Sequence, residues 1–169
     1  MEEDQSGSNR ALAKHAQAID HLAIAVRDLE ASIDWYTRVL GFSVTERRRT
    51  DGSVTGMVSA VLKAGELTVV LLEGTSSASQ VSIFVDNYGP GVQHIAIRVA
   101  DIESAVNDLE RGGLKFDTPI IGQPGLRQIF SQRDKASGLM LEIIQRTGDG
   151  FDEQNVSQLF EALERSGSF

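Results

Sequence analysis

The sequence predicts an α+β fold: two tandem βαβββ modules followed by a closing helix. Three observations carry that prediction. They are an internal repeat, a switch in each copy from alternating to helical hydrophobic spacing, and three strand-like segments after each helix. The repeat is read by setting IDHLAIAVRDLEASIDWYTRVLGF, from Ile19, above VQHIAIRVADIESAVNDLERGGLKF, from Val92. His21 falls on His94, Ala23 on Ala96, Ile24 on Ile97, Val26 on Val99, Asp28 on Asp101 and Glu30 on Glu103, at an ungapped offset of 73.

Residues 1–17 read as a flexible, solvated tail, and 18–165 as a single domain. In the first module, 18–74, Leu22, Ile24 and Val26 alternate with His21, Ala23 and Ala25, which is strand spacing. Asp28 then caps a helix whose apolar stripe is Leu29, Ile33, Tyr36 and Leu40, and Gly41 ends it. Strands are expected at 42–49, 54–63 and 66–73, parted by the turns Asp51-Gly52 and Ala64-Gly65. A polar connection from Gly74 to Ser79 leads toward the second module, 90–146. There Ile95, Ile97 and Val99 alternate with His94, Ala96 and Arg98, and Asp101 caps a helix striped by Ile102, Val106 and Leu109. Gly112 and Gly113 stop that helix, and strands are expected at 115–121, 126–133 and 139–146. The closing helix, 155–165, places Val156, Leu159, Phe160 and Leu163 on one face, and 166–169 reads as a frayed end.

At 169 residues and 41% apolar content, the chain can bury a single core. A formal net charge of −8, with no basic run longer than Arg47 to Arg49, argues against nucleic acid or an anionic membrane surface as partner. The chain has no Cys, so thiolate metal sites and thiol nucleophiles are excluded. The N-terminal MEEDQSGSNR lacks the apolar stretch of a secretory signal, and a cytoplasmic location is the expectation.

Two of the three histidines occupy equivalent positions of equivalent strands, each followed two residues later by Ala, which suggests a cavity beside them. Glu142 sits within the apolar run Leu139-Met140-Leu141-Glu142-Ile143-Ile144, where an ionised carboxylate is costly unless it is paired or binds a metal. The first module has Val70 at the corresponding place. Two imidazoles and one carboxylate with open positions on the ion make the facial triad of non-haem Fe(II) oxygenases. His21, His94 and Glu142 are therefore the candidate metal ligands. His15 reads as a solvated tail residue, Arg47 to Arg49 as an exposed strand face, Trp35 as packing, and Gly89-Pro90-Gly91 as a turn.

The duplicated plan and the Asp20-His21 start with Val26 five residues on resemble the vicinal-oxygen-chelate superfamily over residues 19–146. That superfamily includes glyoxalases, extradiol dioxygenases, bleomycin-resistance proteins and methylmalonyl-CoA epimerases. The resemblance implies eight strands curled into a half-open barrel around a metal. A narrower resemblance, to about residue 165, is to the catalytic domain of 4-hydroxyphenylpyruvate dioxygenase and hydroxymandelate synthase. It rests on Gly89-Pro90-Gly91-Val92-Gln93-His94-Ile95-Ala96, on Leu141-Glu142-Ile143-Ile144-Gln145-Arg146, and on Gly150-Phe151 followed by Asn155, Leu159-Phe160 and Glu164. It implies that His21, His94 and Glu142 hold iron, and that Gln80, Gln93, Gln128, Phe130 and Asn155 line or position substrate. Met140 and Val156 replace two phenylalanines of that pattern, and Asp152 and Gln154 replace glycines. Met140 is accordingly placed among the substrate contacts, and the substrate is read as a 2-oxo acid or a related metal-chelating small molecule.

The activity implied is that of a non-haem Fe(II)-dependent dioxygenase, with Co, Mn, Ni or Zn as other divalent ions suited to these donors. The expected partners are a small-molecule substrate and O₂, with a homodimer left open. One alternative is a metal-dependent isomerase, epimerase or lyase of the glyoxalase or methylmalonyl-CoA epimerase type. The turn from Arg133 to Gly138 resembles that type, but Val70 stands where its fourth ligand belongs. The other is a non-catalytic small-molecule-binding resistance protein, a class that generally lacks the ligand set.

Overall fold

Each module opens with a strand that becomes a helix at an aspartate, and the hydrogen bonds show why. Asp28 Oδ1 accepts from the Ala31 amide at 2.9 Å, and Asp101 Oδ1 from the Ser104 amide at 3.2 Å, so each carboxylate takes an amide its helix cannot bond internally. A second acceptor comes from the last strand of each module. Glu73 Oε2 takes the Leu29 amide at 2.6 Å, and Gln145 Oε1 takes the Ile102 amide at 2.9 Å. The repeat thus extends to the way each helix start is tied to its own sheet.

The computed structural model describes residues 10–148 and 150–167. In order along the chain come α1 (Ala11–His15), β1 (Ala16–Ala25), α2 (Leu29–Arg38), β2 (Ser43–Asp51), β3 (Gly56–Ala64), β4 (Leu67–Gly74) and α3 (Gln80–Tyr88). The second half brings β5 (Gly91–Val99), α4 (Ile102–Arg111), β6 (Ile121–Gln123), β7 (Leu126–Phe130), β8 (Leu141–Arg146) and α5 (Glu153–Ser166). The eight strands form one mixed sheet, β2-β3-β4-β1-β5-β8-β7-β6, curled into a half-barrel. The two modules meet where β1 and β5 pair antiparallel, with His21 opposite Ala96 and Ala23 opposite His94. That reciprocal register is what a pseudo-twofold axis between the two strands requires.

The alternation read from the sequence sorts onto two faces. Val26, Leu29, Ile33, Leu62, Val69 and Leu71 bury together as α2 covers the convex side of the first half. Val99, Ile102, Ala105, Val106, Leu109, Ile129 and Ile143 do the same under α4. The concave side carries smaller residues, Ala23, Ala25 and Leu72, packed against Val81, Phe84 and Val85 of α3. There α5 lays Leu159 and Leu163 against Phe130 and Met140. No helix among the described residues is long and apolar enough to cross a membrane.

Four expectations need correction. Residues 10–17 are not solvated tail: Ala11–His15 form α1, Ala11 is buried against α4, and β1 already begins at Ala16. His15 Nε2 pairs with Asp108 at 3.0 Å. Residues 1–9 and 168–169 lie outside the described residues, while Ser166 still belongs to α5. Leu40 is not on the α2 stripe, because the helix stops at Arg38 and leaves Leu40 47% exposed. The segment 115–121 is not a continuous strand. Pro119 has no amide to donate, and Thr118 Oγ1 instead accepts from the Phe130 amide at 3.0 Å, leaving an isolated bridge from Phe116 to Ser131 and the short β6. Finally, the Gly74 to Ser79 connection is followed by a helix, α3, that the strand-and-helix repeat does not include; it buries Gln80, Val81, Phe84 and Val85.

The close pairing of β6 with β7 depends on Gly122, which stands opposite Arg127 with a φ of +120°. A Cβ there would stand 2.1 Å from the Leu126 carbonyl oxygen. Gly122→Ala is expected to lower stability by about 2–4 kcal/mol in urea denaturation. A change inside about 0.5 kcal/mol would contradict this strand geometry.

Candidate metal centre

Three strands deliver the site to the concave face. His21 comes from β1, His94 from β5 and Glu142 from β8, where it pairs in register with Ala96 of β5 and with Phe130 of β7. The first module places Val70 in β4 opposite Ala23 of β1, the counterpart of Glu142 opposite Ala96. The structure therefore brings the three expected ligands together and sets an aliphatic side chain where a fourth would stand.

Both imidazoles turn Nε2 toward Glu142 Oε2, each at 3.2 Å, and their rings lie 5.7 Å apart at 80°. One ligand atom from each of the three residues lies within 4.8 Å of the other two. The opposite ring nitrogens are engaged elsewhere. His21 Nδ1 donates to Asp20 Oδ1 at 2.9 Å, and His94 Nδ1 donates to Gln93 Oε1. Carboxylate and amide oxygens only accept, so Nδ1 carries a proton in both rings, and Nε2 is the nitrogen that faces the centre and offers a lone pair there once it is deprotonated. Asp20 is itself fixed by Arg146 at 2.8 Å and Arg98 at 3.1 Å. Burial works to raise its pKa, but the His21 hydrogen bond and the Arg146 and Arg98 charges outweigh it and hold the carboxyl below its ordinary value.

The electrostatics turn on one buried carboxylate and the groups that compensate it. Glu142 is 2% exposed, and its Oε1 has no hydrogen-bond partner among the described residues. Burial alone would push its carboxyl up, yet the neighbouring His21 and His94 bring it down to about 2. His21 is likewise opposed by burial but is raised to about 9 by the Glu142 charge and by its hydrogen bonds to Asp20 and Glu142. His94 moves the other way: burial lowers it, and the second imidazole's charge adds to that effect. One carboxylate can compensate only one imidazolium, and His21, backed by Asp20, takes that role. Two nitrogens and one oxygen separated by 3.2 Å match ligands about 2.1 Å from a shared cation. A divalent ion would also give Glu142 Oε1 the partner it lacks. The residues fit a metal.

Above the ligands opens a cavity continuous with solvent. Gln80, Gln93, Gln128 and Phe130, expected as substrate contacts, all line it. Gln80 Oε1 and Gln128 Nε2 are buried without partners among the described residues, and Phe130 packs edge-on against His94 at 4.7 Å. Met140 and Asn155, expected with them, do not line it. Met140 is fully buried beside Phe130, Leu159 and Leu163, and Asn155 Nδ2 is committed to the Leu126 carbonyl at 2.8 Å, tying α5 to the β6–β7 turn.

Sequence reasoning passed over other members. Arg146 ties down Asp20 and stacks over Phe151, whose ring meets His21 edge-on at 5.2 Å. Arg48 and Glu46 line the cavity, so the arginine run is not simply an exposed face. A strand alternates sides, and Arg47 and Arg49 point to solvent while Arg48 points inward. Trp35, read as packing, is 48% exposed and touches Tyr36 edge-on.

A sequence model of the Glyoxalase/Bleomycin resistance protein/Dioxygenase superfamily matches residues 18–143. The chain is 33% identical to a 4-hydroxyphenylpyruvate dioxygenase of Legionella pneumophila, a match covering 88% of this chain and 53% of that protein. It therefore spans about half the length of that relative. It is 30% identical to the mitochondrial methylmalonyl-CoA epimerase of Mus musculus, over 75% of this chain and 72% of that protein. Among solved structures, a triple mutant of 4-hydroxymandelate synthase from Streptomyces coelicolor superposes with a TM-score of 0.80 at 24% identity. That match covers 90% of this chain and 55% of the other, and it bears on the fold alone.

The protonation pattern makes metal binding pH-dependent. Below pH 9 a cation must displace the His21 proton, whereas His94 is already neutral and Glu142 already ionised. Zn²⁺ affinity is expected to fall about tenfold per pH unit from 9 downward, with about one proton released per ion at pH 7. Calorimetry in buffers of different ionisation enthalpy reads both, and a pH-independent affinity without proton release would contradict this assignment.

Proposed function

This chain belongs to the Glyoxalase/Bleomycin resistance protein/Dioxygenase superfamily, and we propose that it is a metal-dependent dioxygenase acting on a 2-oxo acid or a related chelating small molecule. The observation that carries the reading is a three-ligand face backed by Val70 rather than by a fourth donor. Its relative named 4-hydroxyphenylpyruvate dioxygenase supports the same choice. His21, His94 and Glu142 would hold Fe(II), which supplies a Lewis acid for a chelating acid and a one-electron reductant for O₂.

The work left to the chain is holding, orienting and shielding. Asp20 and Gln93 keep both imidazoles in the tautomer and rotation that aim Nε2 inward. Glu142 cancels one positive charge, leaving a net positive centre that favours an anionic substrate. Gln80 presents a buried acceptor and Gln128 a buried donor to the cavity, which together orient a polar group of the substrate. Phe130 and Phe151 flank the two ligand imidazoles edge-on and exclude water beside them. The α5 residues Val156, Leu159, Phe160 and Leu163 complete the apolar wall.

A second reading, a metal-assisted isomerase or epimerase, has one observation in its favour: Glu46, a carboxylate lining the cavity, is placed to hold a proton. The relative named methylmalonyl-CoA epimerase is consistent with it. Oxygen consumption separates the two. The Fe(II)-loaded protein is expected to take up O₂ with at least one member of a panel of 2-oxo acids, and Val70→Glu to lose at least 90% of that rate by occupying an open side of the ion, roughly a tenfold effect. Exchange of a substrate C–H proton with solvent by the Co²⁺ form without O₂, and no O₂ uptake by the Fe(II) form, would replace the dioxygenase reading with the isomerase.

A further inference from the structure

We infer that Arg48 selects the far end of the substrate, so that the cavity accepts a chelating acid bearing a second anionic group. This rests on the reading that the metal centre binds a 2-oxo acid. The sheet register lays out the path. From His94 on β5 an inward row crosses Ala23 on β1, Val70 on β4 and Val61 on β3 to reach Glu46 on β2. A neighbouring row leads from Leu72 on β4 through Ser59 on β3 to Arg48 on β2. Every one of these side chains lines the cavity. At about 4.8 Å per strand, Arg48 lies three strands and roughly 14 Å along the curved sheet from β1. The cavity thus has a chelating end, a floor of small aliphatic residues and a charged end.

The charged end has donors to spare. Arg48 Nη2 serves both the Glu46 carboxylate and the Phe151 carbonyl, the latter at 2.7 Å. Its Nε and Nη1 make no hydrogen bond among the described residues, although a guanidinium offers five donors in a planar fork. That unused edge matches a carboxylate or phosphate. Pinning Phe151 needs only one N–H, and a neutral donor would do it without placing a guanidinium, 15% exposed, in a largely apolar wall. Arg47 and Arg49, by contrast, pair with Glu30 and Asp51 at the surface.

The test uses binding rather than turnover. Zn²⁺-loaded protein is titrated by calorimetry with (4-carboxyphenyl)pyruvate and with its neutral isostere (4-carbamoylphenyl)pyruvate. The expected result is a preference of about tenfold or more for the carboxylate. Arg48→Met is expected to bring that ratio to about one, Arg48→Lys to keep part of it, and Glu46→Gln to raise it by removing a like charge. A purely structural Arg48 would not move the ratio in these directions. Should Arg48→Met fail to fold, the Lys and Gln variants decide. Equal affinity for the two acids, or a preference unaltered by the variants, overturns the inference and leaves the 2-oxo acid reading standing. Binding of neither acid overturns both.

Discussion

A carboxylate enclosed between two imidazoles constrains everything around it. Glu142 is surrounded by β5, β7 and the apolar faces of β8, where an uncompensated charge would cost several kcal/mol. His21 can supply one proton in compensation, whereas burial, with the His21 charge added to it, holds His94 below its ordinary value, so the two chemically identical rings shift in opposite directions. A divalent cation satisfies all three groups at once. The Asp20, Arg98 and Arg146 network makes sense on the same footing: it holds a charged group against His21 without adding net negative charge to the centre.

Duplication supplies the scaffold and its breaking supplies the chemistry. The reciprocal pairing of His21 with Ala96 and of Ala23 with His94 lets both imidazoles share one face, with alanines leaving room beside them. Both modules tether their helices alike, through Glu73 and Gln145. The modules differ at Val70 and Glu142, and that one difference gives the site three donors rather than four. The concave face differs too: α3 closes the first half through Phe84 and Val85, whereas α5 lies over the second through Leu159 and Leu163.

The βαβββ plan, both aspartate caps and the convergence of His21, His94 and Glu142 are legible in the sequence because each is local and each is repeated or conspicuously out of place. A histidine recurring at one strand position, or a glutamate in an aliphatic run, announces itself without any knowledge of tertiary contacts. What escaped was decided by long-range geometry. The pairing of Arg146 with Asp20 spans 126 residues, and nothing near either one marks it. Arg48 was hidden in a basic triplet whose outer members are ordinary surface residues. Asn155 lies off the cavity with its amide on the Leu126 carbonyl, and Met140 lies off it packed with Phe130, Leu159 and Leu163. The strand at 115–121 is interrupted by Pro119 and by a hydrogen bond from the Phe130 amide to the Thr118 side chain that alternation alone does not reveal.

The central claim is that three side chains grip one ion. Titration of metal-free protein with Co²⁺, read by visible absorption and elemental analysis, addresses it most directly. The account predicts one ion per chain in the wild type, and at least about a hundredfold weaker binding in each of His21→Ala, His94→Ala and Glu142→Ala, with circular dichroism showing the fold retained. A wild-type protein that binds no ion, or three variants that bind as tightly as the wild type, would contradict it.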